Sequence, residues 1–167
     1  MRAAILTLSD KGARGERVDG SGPALSAWLA ERGVTTVTAE VIADEYEQII
    51  AKLTGWADSD TADLILTTGG TGVSPRDVTP EATMQVVTRL IPGMAELMRL
   101  RSMEKTRMAA LSRAVVGIRA QSLIINLPGS PKGAVENLEA VWQVIGHAVE
   151  KIRGDSNDCG GRFDLTA

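Results

Sequence analysis

Aromatic side chains are scarce in this 167-residue chain, at 3% of the sequence: Trp28, Tyr46, Trp56, Trp142 and Phe163. Proteins that read single-stranded nucleic acid stack bases on aromatic platforms, so the scarcity argues against RNA or DNA as a partner. Cys159 is the lone cysteine; no internal disulfide can form, and a polar tail is not the setting of a buried structural thiol. His147 is the lone histidine and falls inside a helical pattern, off its main apolar stripe. One cysteine and one histidine cannot build a zinc site of ordinary composition, and a Ser-His-Asp triad and a G-x-S-x-G elbow are both excluded. No apolar run approaches the ~18 residues of a membrane span. The opening MRAAILTLSD has too short an apolar stretch before Ser9 and Asp10 for a signal peptide. The expectation is a soluble, cytoplasmic chain with no membrane partner.

What is present is ordinary in bulk and uneven in detail. Hydrophobic content of 44%, charged content of 23%, 17 Gly and 6 Pro describe one globular domain. Eighteen Lys and Arg face 21 Asp and Glu, a net charge of −3. Between Arg89 and Arg119, however, lie Arg89, Arg99, Arg101, Lys105, Arg107, Arg113 and Arg119 against Glu96 and Glu104. Such a basic zone in an acidic chain is either the solvated face of helices or a surface for an anionic small molecule.

Short apolar runs alternate with helical spacing along the chain. Ala3 to Leu8 reads as a buried strand opening into the long polar loop SDKGARGERVDGSG. Pro23 to Arg32 reads as a helix with Gly33 at its C-terminal cap, followed by the β-branched run Val34 to Ile42 and a helix over Glu45 to Trp56. Asp63 to Thr68 is a second buried strand. The next helix has Thr79 as N-cap, Pro80 first and Glu81 in its first turn, and ends before Pro92. A helix over Gly93 to Lys105 precedes two adjacent strands of undetermined direction, Ala114 to Ile118 and Ser122 to Leu127. Ala134 to Arg153 is the clearest amphipathic helix, closed by Gly154. The order predicts an α/β fold, a three-layer α/β/α domain over residues 1–154 with a mainly parallel sheet and right-handed crossovers. Residues 155–167 are expected to be a frayed tail.

Ligands of open α/β sheets bind beyond the carboxyl ends of the strands, so the loops after the apolar runs carry the candidate chemistry. After DLILTT comes Gly69-Gly70-Thr71-Gly72, a turn that lets backbone N–H groups approach an anion or simply reverses the chain tightly. It is neither a P-loop nor a dinucleotide fingerprint. Asp77 follows in SPRDVTPEAT and Asp44 follows the strand ending at Ile42. Each could be a helix cap; together they could face one crevice and hold Mg²⁺, which takes few protein ligands beside substrate phosphates. The loop Leu127-Pro128-Gly129-Ser130-Pro131-Lys132-Gly133 offers backbone N–H groups, the Ser130 hydroxyl and the Lys132 charge, and Arg76 is a further phosphate partner.

TTGGTG, SPRDVTPEAT and NLPGSPKG, in that order, with LSR at Leu111 to Arg113 between them, resemble the MogA/MoaB/gephyrin G-domain family of molybdenum-cofactor biosynthesis. SDKGARGERVDGSGPAL and IADE at Ile42 to Glu45 extend the resemblance. It implies a MogA-like fold, a homotrimer, and molybdopterin adenylyltransferase activity with ATP and Mg²⁺, the product passing to a molybdenum-insertion protein. It implies that Asp44 and Asp77 are the essential, metal-organising aspartates. Gly69, Gly70, Thr71 and Gly72 match its anion-binding loop, and Ser122 with Pro128, Gly129, Ser130 and Lys132 its molybdopterin-binding side; Thr68 and Arg76 complete the candidate nucleotide- and molybdopterin-binding residues. The family also holds MoaB-type proteins of uncertain or no activity, in which case this chain would be a non-catalytic molybdopterin carrier; retention of both aspartates favours the enzyme.

Overall fold

The computed structural model describes residues 1–156; Cys159, Phe163 and most of the expected tail lie outside the described residues. In chain order the elements are β1 (Arg2–Leu8), α1 (Asp10–Ala13), α2 (Ser21–Ala30), β2 (Thr35–Ile42), α3 (Tyr46–Asp58), β3 (Leu64–Thr68), α4 (Thr79–Val86), β4 (Arg89–Leu90), α5 (Pro92–Met103), a 3-10 turn (Arg107–Leu111), β5 (Val116–Arg119), β6 (Ser122–Leu127) and α6 (Pro131–Ile152). The sheet order is β2-β1-β3-β6-β5-β4, with β2, β1, β3 and β6 parallel and β5 and β4 antiparallel to their neighbours.

Period-2 alternation divides the strand side chains between two cores. Ala3, Ile5, Leu64, Leu66, Leu123 and Ile125 pack with α2, α5 and α6 on one face. Ala4, Leu6, Leu8, Ile65 and Ile124 pack with α3 and α4 on the other. This is the expected three-layer arrangement. Trp28 of α2 meets Trp142 of α6 edge-on, with ring centroids 4.9 Å apart, so two of the few aromatics lock neighbouring helices. Asn126, fully buried on β6, donates to Thr67 Oγ1 at 3.0 Å and Thr83 Oγ1 at 2.8 Å and accepts the Val115 N–H at 3.1 Å. That network ties α4 to the sheet with every polar atom of the amide group engaged.

Several local expectations are corrected. The helix after Asp77 stops at Val86, and Val87 turns extended so that β4 can pair with β5; a two-residue exposed strand has no alternation to read. Thr79 is not the N-cap: Val78 holds that position, and the buried Thr79 hydroxyl donates to the Gly69 carbonyl at 3.0 Å. The helix at Pro23 begins at Ser21, and the polar loop after β1 contains α1, capped by Ser9. The final helix begins at Pro131, with the Ser130 hydroxyl accepting the Gly133 N–H at 3.1 Å. The strands of undetermined direction form an antiparallel hairpin, turning through Ala120 at φ +48°.

At the edge of the sheet away from the strands' carboxyl ends, Arg2 and Arg153 share Asp60 and Asp63. Asp63 accepts the Arg2 N–H at 2.7 Å, the Arg2 guanidinium at 2.9 Å and that of Arg153 at 2.8 Å. Burial opposes the charge, but the bonds from Arg2 and the nearby guanidinium charges outweigh it and hold the Asp63 carboxyl below the usual carboxylate range. A depressed carboxyl stabilises the fold above its unfolded value and loses that contribution as pH falls through the folded one. Asp63→Asn is therefore expected to cost about 1–3 kcal/mol at neutral pH. The gap to the parent chain should close below about pH 4, and urea midpoints at the two pH extremes measure it.

Candidate functional site

The strand order reverses between β1 and β3, because the connection through α2 leads to one side of β1 and the connection through α3 returns to the other. Loops leaving the carboxyl ends of such a pair splay apart and leave a crevice. Here it is a cleft of about 530 Å³, and Asp19, Asp44, Gly70, Asp77, Gly129 and Ser130 lie on its walls. All three loops singled out in the sequence converge on it. Gly69 donates its N–H to the Leu127 carbonyl at 3.1 Å and the Thr68 hydroxyl donates to the Pro128 carbonyl at 2.7 Å, joining the first loop to the third.

Gly69 and Gly70 adopt φ of +109° and +63°, values that side-chain-bearing residues rarely adopt. A Cβ on Gly69 would lie 2.3 Å from the Leu8 carbonyl oxygen. One on Gly70 would lie 2.3 Å from Thr79 Oγ1 and 3.0 Å from Asp44 Oδ1. The turn thus lies flat over the end of β1, with Asp44 against it. Asp77 faces the same turn two residues on: a Cβ at Gly72 would come within 2.9 Å of Asp77 Oδ2, which accepts the Ser74 N–H at 2.8 Å.

Asp44 is half-buried, and burial is the main cause that pushes its carboxyl up, with the Asp10 and Asp77 charges adding to it; the hydrogen bond from Asp10 and the charge of Arg76 act the other way. Asp10 stands beside it, its own carboxyl held down chiefly by the Arg76 guanidinium. Arg76 makes two bonds to Asp10, at 3.0 and 2.8 Å, and one to Glu45 at 2.7 Å. Those carboxylates keep the guanidinium even more firmly protonated than an ordinary arginine.

Hard oxygen donors from two carboxylates fit Mg²⁺, an ion that binds through one or two carboxylates plus substrate phosphates. Among the described residues no group of three or more His, Cys, Asp or Glu side chains could hold a metal by itself. Asp44 and Asp77 fit an ion whose remaining ligands come from the phosphates it accompanies and from water.

A second cavity of about 280 Å³ lies on the other side of the Gly72 and Pro128 loops, between α5, the 3-10 turn and the start of α6, and it shares Ser130 with the cleft. Thr71, Gly72 and Pro128 line it. Ser122 lines neither cavity: it begins β6, at the opposite end of the strands, where its buried hydroxyl donates to the Ala62 carbonyl at 2.7 Å. Lys132 is exposed in the first turn of α6 and lines neither cavity. Five of the seven basic residues from Arg89 to Arg119 are engaged by protein partners: Arg99 by the Ala114 carbonyl, Arg101 by Glu104, Lys105 by Glu136, Arg113 by Glu81 and Arg119 by Asp58. The zone is largely paired, and Arg99 and Lys105 also line the second cavity.

Asp19 and Arg113 are among the site residues that escaped the sequence reading. Asp19 accepts the Thr7 hydroxyl at 2.8 Å and the Ser21 N–H at 2.9 Å, closing the start of α2 against the cleft wall. An aspartate one residue before the Gly-Ser that opens α2 is a capping signal that could have identified it. Arg113, quoted only within LSR, clamps the glycine turn: its N–H donates to the Thr71 carbonyl at 2.9 Å, its Nε to the Gly72 carbonyl at 2.6 Å, and its Nη atoms reach the Asp77 carbonyl and the Glu81 carboxylate. No local pattern announces such a role. Lysine lacks the planar fork that spans these acceptors. Arg113→Lys is expected to lower stability by about 1–2 kcal/mol and to raise amide exchange over residues 70–77, which hydrogen-exchange mass spectrometry reads directly.

Comparison with known proteins accords with this geometry. The family described as "Probable molybdopterin binding domain" matches residues 4–147. A molybdopterin adenylyltransferase of Helicobacter pylori is 43% identical over 153 residues, which are 90% of this chain and 87% of that protein. The crystal structure of the molybdopterin biosynthesis enzyme MoaB of Thermus thermophilus superposes with a TM-score of 0.87 and 52% identity, over 92% of this chain and 97% of that one. A tungsten cofactor synthesizing MoaB of Pyrococcus furiosus gives 0.82 and 31%, over 91% and 96%. A match spanning both cores and all three loops, together with relatives alike over nearly their full length, makes this chain a member of the molybdopterin-binding domain family of molybdenum-cofactor biosynthesis.

Proposed function

We propose that this chain is a molybdopterin adenylyltransferase that takes ATP and molybdopterin in the two adjoining cavities. The observation that carries the reading is the placement of Asp44 and Asp77 against one glycine turn, in a cleft that shares the lining residue Ser130 with a second cavity. A terminal phosphate oxygen of molybdopterin attacks the α-phosphorus of ATP. A new P–O bond forms, the bond from that phosphorus to the bridging oxygen breaks, and pyrophosphate leaves with the electron pair.

The attacking phosphate is already ionised, so the step needs no general base, in keeping with a chain whose lone histidine lies in α6, away from the cleft. Positioning and charge neutralisation do the work. Mg²⁺, held by Asp44 and Asp77 with the triphosphate, supplies neutralisation of the phosphate charge when bound. The turn at Gly69 to Gly72 and the N-terminal turn of α6 at Ser130 offer backbone donors to anionic oxygens. The glycine turn excludes side chains from the reacting centre. Arg76, next to Asp77 in the chain, can exchange its carboxylate partners for phosphate, and Lys132, between Pro131 of the cleft and Gly133 of the second cavity, adds positive charge.

The resemblance extends the proposal to a cytoplasmic homotrimer that passes its product to a molybdenum-insertion protein. The retained pair of aspartates in one cleft favours an enzyme over a non-catalytic carrier of the MoaB type. Incubation with ATP, Mg²⁺ and molybdopterin should yield adenylyl-molybdopterin and pyrophosphate. Asp44→Asn and Asp77→Asn should each lower turnover by about 10²-fold or more with thermal midpoints close to the parent's. ATP binding without turnover in the parent chain would identify a carrier, and full activity of Asp77→Asn would refute its role.

A further inference from the structure

Asp44 sits two residues beyond β2 and two before α3, where no strand or helix ladder sets its backbone. Its position is instead set by the loop after β1. Ser9 donates its N–H to the Ile42 carbonyl at 2.9 Å. One residue further on, the bonding becomes reciprocal: the Asp44 N–H donates to Asp10 Oδ1 at 3.1 Å, and the Asp10 N–H donates to Asp44 Oδ2 at 3.0 Å. Asp44 thereby has one carboxylate oxygen committed to Asp10, while Oδ1 is the atom a Cβ on Gly70 would meet at 3.0 Å. The clasp selects which oxygen of Asp44 faces the glycine turn.

We propose that Asp10 is a positioning residue for Asp44, holding the Asp44 backbone through its carboxylate so that Oδ1 is presented to the turn and to the metal-bound triphosphate. The proposal rests on the reading of Asp44 as a metal-organising residue. Two like charges stand side by side in this clasp, and Arg76 offsets the repulsion by forking onto Asp10 and reaching Glu45. Asp10 therefore does two separable things: it supplies an acceptor at a defined distance from the Asp44 N–H, and it supplies a charge to Arg76. The clasp requires the first. Residues that orient a metal ligand through a hydrogen bond change metal affinity when they are lost, although they never touch the ion.

Two near-isosteric substitutions separate these contributions. Asp10→Asn keeps an oxygen at the acceptor position and removes the charge; Asp10→Glu keeps the charge and displaces the acceptor by one methylene. Amide hydrogen exchange of Asp44 in the protein alone is the first readout, and Mn²⁺ titration in the presence of ATP, followed by electron paramagnetic resonance, is the second. Asp10→Glu should speed Asp44 exchange and weaken Mn²⁺ binding by about tenfold or more, and Asp10→Asn should stay within about threefold of the parent in both. The reverse order, with Asp10→Asn impaired and Asp10→Glu unaffected, would assign the effect to the Arg76 ion pair and overturn the clasp. Parent-like behaviour of both variants would overturn it as well. Loss of the adenylylation reading leaves a separate signature: a parent chain that never adenylylates molybdopterin, with the Asp44 exchange pattern unchanged in its order.

Discussion

The space between the Leu8 carbonyl and the Gly69 α-carbon is too small for any side chain, and most of the site follows from that approach. Because the backbone of the glycine turn can lie directly over the end of β1, the loops after β1, β2, β3 and β6 meet at one place. Bonds between segments that are distant in the chain hold them there: Ser9 to Ile42, Asp10 to Asp44, Gly69 to Leu127, Thr68 to Pro128 and Ser21 to Gly129. Parallel strands buried on both faces supply the rigid base for these bonds, since their side chains are committed to the two cores and cannot slip register without exposing apolar surface.

The electrostatic arrangement is unusual for the proposed handling of highly anionic substrates. The cleft wall carries Asp19, Asp44 and Asp77 against Arg17, and Arg76, next to Asp77 in the chain, is already held by Asp10 and Glu45. The basic segment between Arg89 and Arg119 is spent mostly on carbonyls and carboxylates of the fold. On the proposed function, phosphate groups meeting such a surface would be accommodated by backbone N–H groups, by Arg17 and by a metal ion that would convert the two aspartates from repulsive to attractive. Local arrangement, more than the net charge of −3, decides what the cleft can bind.

The sheet and its helices were readable because burial on both faces of a parallel strand writes a continuous apolar run, and a helix covering it writes a stripe. β1, β3, β6 and α6 have those signatures in full. β4 lacks them, being two exposed residues held only by its pairing with β5. Thr79 carried the capping chemistry of a helix start, yet a carbonyl from the glycine turn stood closer, and tertiary contact outweighed local preference. Ser122 appeared site-like only through the family match; its strand direction sends it to the opposite end of the strands.

Asp44 and the glycine turn follow strand ends that can be read from apolar periodicity, and Asp77 precedes a helix start marked by Pro80, so their places along the chain were legible in the sequence. Their chemistry is local in origin: glycine for a positive φ, carboxylate for a hard cation. Asp10 and Arg113 acquired their roles only in the folded chain. Their partners are 34 and 41 residues away, and no pattern within a single element records a hydrogen bond that exists only after the sheet has brought distant loops together.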